Sequence, residues 1–88
     1  MMPDHLRKTI TMLTKADTDQ LDLALNTIIR ARRIIEDIAI AYHTKFENLT
    51  ETEQEGERGM SINATARDLE KMAESLYNVV SIGETLID

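Results

Sequence analysis

Three arginines, Arg30, Arg32 and Arg33, are the only Lys or Arg residues between Lys15 and Lys45. A guanidinium presents a rigid fork of donors that matches carboxylate or phosphate groups. Arg32 stands where the heptad spacing of its neighbours asks for an apolar residue. Paired across a subunit symmetry axis, such arginines would clamp a small anionic ligand, for example a nucleotide. The plainer use of Arg32 is an ion pair with Glu36, its stem covering apolar surface.

The other chemistry-bearing residues are less well placed. His5 and His43 are the only histidines. Carboxylate-bridged metal bundles set a Glu three residues before a His on an inward face, and neither histidine has one. Glu36, His43 and Glu47 follow one helix edge at i, i+7 and i+11, a span too long for one ion. A metal-dependent nucleotide hydrolase would draw on Glu36 and Asp37 from one helix and Asp68, Glu70 and Glu74 from another. Asp37, Glu70 and Glu74 project away from the apolar side. No phosphate loop and no nucleophile–base pair occurs. No catalytic residue, metal site or cofactor is expected.

The chain has 88 residues, no Cys, 42% apolar and 30% charged residues, and a net charge of −6. That suits one small folded domain with a modest aliphatic core. Without cysteine there is no disulfide framework or thiolate site. The acidic balance argues against nucleic acid as a partner. No apolar run reaches the roughly 20 residues of a membrane span, and MMPDHLRKTITML lacks a signal-peptide core. Cytoplasm, of the producing cell or of a host, is the expected location. The Asn48-Leu49-Thr50 and Asn63-Ala64-Thr65 sequons are read as chance matches.

The stretch TDQLDLALNTIIRARRIIEDIAIAYHTKFENL has no Pro or Gly and carries apolar residues at helical spacing. It predicts one helix over about residues 18–49, roughly 45 Å long, capped by Asp17 with Gln20 or by Thr18. Leu21, Leu25, Ile28, Ile35, Ile38, Ala39, Tyr42, Phe46 and Leu49 form a broad stripe. Leu23, Ile34 and Ala41 extend one flank; Ile29 and Ile40 extend the other. So much apolar circumference asks for more cover than one short chain supplies. Leu23, Ile29, Ile34, Ile38 and Ile40 are therefore the expected oligomer-interface residues.

Before this helix, Pro3, Asp4 and the Leu6, Ile10, Leu13 spacing predict a short helix over about residues 3–15. After it, TETEQEGERG predicts an acidic loop over about residues 50–60, with one extra turn capped by Thr50 and Glu53. Ser61 then caps a helix over about residues 61–87, one-sided, with Ile62, Ala66, Leu69, Met72, Ala73, Leu76, Tyr77, Val79, Val80 and Ile87 as its apolar face. Gly83 on that face either permits close helix contact or frays the end.

The expectation is an all-α single domain: a short N-terminal helix and a long antiparallel helical hairpin, assembled as an oligomeric helical bundle. The expected function is that of a small acidic, non-catalytic adaptor or inhibitor acting as a homo-oligomer on a protein partner. Size and charge associate it with phage and mobile-element accessory proteins. The alternative is an oligomeric sequesterer of a small anion at arginine-lined subunit interfaces. A metal-dependent nucleotide hydrolase comes third.

Overall fold

The computed structural model describes residues 13–87. They form helix α1, Lys15–Glu47, a short helix α2, Glu51–Glu55, and helix α3, Glu57–Ile87. The fold is all-α, and no strand occurs among the described residues. The short helix expected over about residues 3–15 lies, up to residue 12, outside the described residues.

Helix α1 begins earlier than the sequence reading placed it. Its cap is Thr14, whose hydroxyl accepts the Asp17 backbone N–H at 3.0 Å. Asp17 thus sits in the first turn, where its charge meets the positive helix end. Neither Asp17 nor Thr18 is the cap. The helix ends at Asn48, whose N–H reaches back to the Thr44 carbonyl at 3.0 Å.

The acidic connection is helical rather than a loop. The Thr50 hydroxyl accepts from the Glu53 N–H at 3.2 Å, and the Glu53 carboxylate accepts from the Thr50 N–H at 2.8 Å. This reciprocal pair starts α2, the extra turn that Thr50 and Glu53 were expected to cap. The Thr50 backbone N–H, and after it the Thr50 hydroxyl, hold the Glu53 carboxyl below its ordinary value of 4.5. Gly56, with extended backbone, is the single residue between α2 and α3. Helix α3 starts at Glu57, so Ser61 lies within it and is not its cap. The Glu and Gln residues of TETEQE are good helix formers, and their charge, which suggested a loop, favours a helix start.

Two further contacts fix this corner. The Gln54 side-chain amide donates to the Phe46 carbonyl at 3.0 Å, satisfying an end carbonyl of α1. Gly59 is buried against the turn: a Cβ there would come within 2.6 Å of Gln54 Cα. Only a residue without a side chain lets α3 cross α2 so closely.

Helices α1 and α3 then pack along each other in opposed order. Leu25 touches Gly83, Arg32 reaches Tyr77, and His43 reaches Glu70. The buried apolar residues are Leu25, Ala39, Ala66, Ala73 and Val80, and none of the described large side chains is fully buried. Three of these five buried residues are alanine, and Gly83 is buried beside them, while larger seam residues such as Ile28, Ile35, Leu69 and Leu76 are half-buried. Small residues let the two backbones approach, but each removes little apolar area from water.

Candidate interaction face and polar groove

Several large apolar side chains lie outside the seam. Leu23, Ile34, Ile40 and Ile82 are more than three-fifths exposed, at 67, 61, 62 and 65%. Ile38, Met72, Tyr77 and Val79 are also exposed.

Their positions separate into two sides. Going round α1 at about 100° per residue, Leu23, Ile34, Ile38 and Ala41 form a second stripe beside the seam. Thr27 and Ala31 fill its gaps. On α3, Met72, Ser75, Val79, Ile82 and Leu86 form a second stripe with the same four-three spacing. Met72 and Val79 thus belong to a face distinct from the seam, and α3 is not the one-sided helix that its sequence suggests. Each second stripe is offset from its seam by about 100° in the same rotational sense. Antiparallel helices are related by a two-fold normal to the hairpin plane, so equal offsets fall on one face. That face holds no Lys, Arg, Asp or Glu between Leu23 and Ala41 or between Met72 and Leu86. Thr27 fits it because its hydroxyl donates to the Leu23 carbonyl at 3.1 Å, leaving the methyl outward.

The opposite face carries charged side chains among apolar ones. A groove of about 530 Å³ runs along it, lined by Arg32, Glu36, Asp37, Ile40, His43, Glu70, Glu74 and Tyr77. The Arg32 guanidinium carbon lies 5.1 Å from the Tyr77 ring centroid, and its Nε lies 3.5 Å from the Glu36 carboxylate. His43 Nε2 stands 3.1 Å from Glu70 Oε2, off the line of a hydrogen bond. The Arg32–Glu36 ion pair is partly solvated and contributes about 0–1 kcal/mol. Among the described residues no three His, Asp or Glu side chains gather where one metal ion would sit.

The residues singled out from sequence are thus divided. Leu23, Ile34 and Ile38 share the apolar face. Ile40 lies on the groove side, and Ile29 lines a smaller recess there with Asp22, Asn26 and Glu84. Of the three arginines, Arg32 enters the groove, while Arg30 and Arg33 are exposed and do not line it. One chain does not gather the arginines into a single site. The four carboxylates around Arg32 give the groove a negative balance. Ile82 was the residue the sequence reading missed; the repeat Met72, Val79, Ile82, Leu86 beside the seam heptad is the signal that finds it. No helix of the described residues is long and apolar enough to cross a membrane. No protein-family model, no curated protein and no solved structure matches this chain.

Proposed function

We propose that the chain is a small, acidic, non-catalytic interaction protein that acts as a homo-oligomer, as an adaptor or inhibitor occupying a partner's surface in the cytoplasm. The observation that supports this is the apolar bulk left outside the seam. The fully buried positions are mostly alanine and glycine, while Leu23, Ile34 and Ile82 stand in solvent. Exposed patches of aliphatic side chains on a helical surface are the usual mark of a protein contact. The polar groove adds a second surface, whose carboxylates suit a basic segment of a partner rather than a free anion.

The test is capture from the native cell with the full chain as bait, alongside assays with Mg²⁺ or Mn²⁺ and a nucleotide panel. One protein recovered in fixed stoichiometry is the expected result. Metal-dependent nucleotide turnover, abolished by Glu36→Gln or Glu70→Gln, would contradict the non-catalytic reading.

A further inference from the structure

We infer that the apolar face is covered by a second copy of this chain, turned end for end, so that two hairpins form a four-helix bundle about a two-fold axis at the level of Arg32 and Tyr77. The inference rests on the self-association proposed above and adds the face, the occupant and the orientation.

The geometry of the stripes suits a bundle. In a four-helix bundle each helix meets two neighbours about 90° apart. The seam and the second stripe on α1 are separated by about that angle, and so are those on α3. One stripe is used within the hairpin and the other is left for a neighbour.

Self-complementarity identifies that neighbour. A two-fold interface sets the same patch on both subunits, so that residue i meets j and j meets i. Read backwards about a point between Ala31 and Ile34, the α1 stripe sets large against small. Ile38 would meet Thr27, Ile34 would meet Ala31, and Leu23 would fall within one residue of Ala41. On α3, Val79 would meet Ser75, again large against small, and Met72 would meet Ile82, an apolar pair of two large side chains. The α3 pairs centre on Tyr77 and the α1 pairs centre beside Arg32. These two residues are already opposite each other within the hairpin, 5.1 Å from guanidinium to ring. One axis therefore satisfies both helices. An unrelated partner would give no reason for the two centres to coincide.

Charge supports the same occupant. Each copy carries −6, so two copies repel wherever their acidic surfaces meet. The stripes are uncharged between Leu23 and Ala41 and between Met72 and Leu86, and the groove with its four carboxylates faces away. The first charges on the stripes are Lys45 and Asp68, both at the α2 end. Asp68 would lie opposite Leu86 at the rim, where its carboxylate keeps its water.

The chain has no cysteine, so single cysteines report the pairing directly. In the full chain, Ala31→Cys places two thiols beside the axis and should oxidise to a disulfide-linked dimer. Leu23→Cys places them about 27 Å apart along the helices and should not, although Leu23 is 67% exposed in the single hairpin. The companion measurement is solution mass: Ile38→Glu should reduce the dimer fraction at least tenfold, and Ile40→Glu should leave it unchanged. A dimer that cross-links at Leu23→Cys but not at Ala31→Cys would overturn the end-for-end pairing. A dimer lost with Ile40→Glu and kept with Ile38→Glu would overturn the face while leaving self-association intact. A wild-type mass of one chain would overturn both.

Discussion

The guanidinium of Arg32 lies over the ring of Tyr77, with its carbon 5.1 Å from the centroid, and joins the two long helices across the groove. The side chain is one-quarter exposed, and its Nε is 3.5 Å from Glu36 without a hydrogen bond. An aromatic contact of this kind contributes about 0.5–1 kcal/mol when solvated. Arg32→Leu removes that contact and the Glu36 pair, and places apolar bulk at a heptad position. We expect a stability change within about 1 kcal/mol in either direction, read by urea unfolding. A loss above about 2 kcal/mol would show that Arg32 has partners beyond Tyr77 and Glu36.

The same residue separates the adaptor from the anion sequesterer. With Glu36, Asp37, Glu70 and Glu74 around it, Arg32 sits in a negative field. Phosphate, sulfate and nucleotides at constant ionic strength are expected to leave the melting temperature of the wild-type chain unchanged. A specific rise that disappears in Arg32→Leu would favour the ligand reading instead.

Gly59 and Gly83 are expected to rank differently when replaced by alanine. A Cβ at Gly83 would meet the Leu25 methyls, one of them at 2.8 Å, and Leu25 is a side chain that turns. A Cβ at Gly59 would meet the Gln54 backbone, which moves only if the α2–α3 corner opens. Alanine's better helix propensity, about 1 kcal/mol, offsets part of each cost. Gly83→Ala should therefore be near neutral, and Gly59→Ala should cost about 1–3 kcal/mol. Equal losses in denaturant unfolding would contradict this account of the corner.

Capping makes two predictions. Thr14→Ala removes the acceptor for the Asp17 N–H and should cost about 0.5–2 kcal/mol, seen as a lower melting temperature. At the second cap, the Thr50 backbone and hydroxyl hold the Glu53 carboxyl below 4.5. A carboxyl depressed in the folded state adds stability above its ordinary value, and that contribution is lost as pH falls through the lowered one. A carboxyl-carbon NMR titration should place Glu53 below the ordinary value of 4.5. In Thr50→Ala its midpoint should rise toward that value. No difference between the two proteins would show that the hydroxyl does not act on Glu53.

Much of this fold was legible because period and capping chemistry are local. The apolar spacing from Leu21 to Leu49 marks α1, and Thr50 with Glu53 marks α2. The sequence places the start of α1 three residues late, because Asp17 and Thr18 compete with Thr14 as caps. The acidic segment after Thr50 reads as a loop because charge and Gly56 mask the helix propensity of Glu and Gln. Which apolar residues are buried was the least legible feature. Both Ile38 and Ala39 fit the α1 stripe, but Ala39 is buried and Ile38 is 41% exposed, one helical step round toward the second stripe. The arginines were adjacent in sequence, and the helix turn sends Arg32 into the groove while Arg30 and Arg33 stay in solvent.

The central claim is that the apolar bulk outside the seam is covered by self-association. Its most direct test is the solution mass of the full 10.0 kDa chain by light scattering across a micromolar concentration series. The account predicts twice the chain mass, with helical content retained throughout. A folded species of one chain mass over the whole series would contradict it.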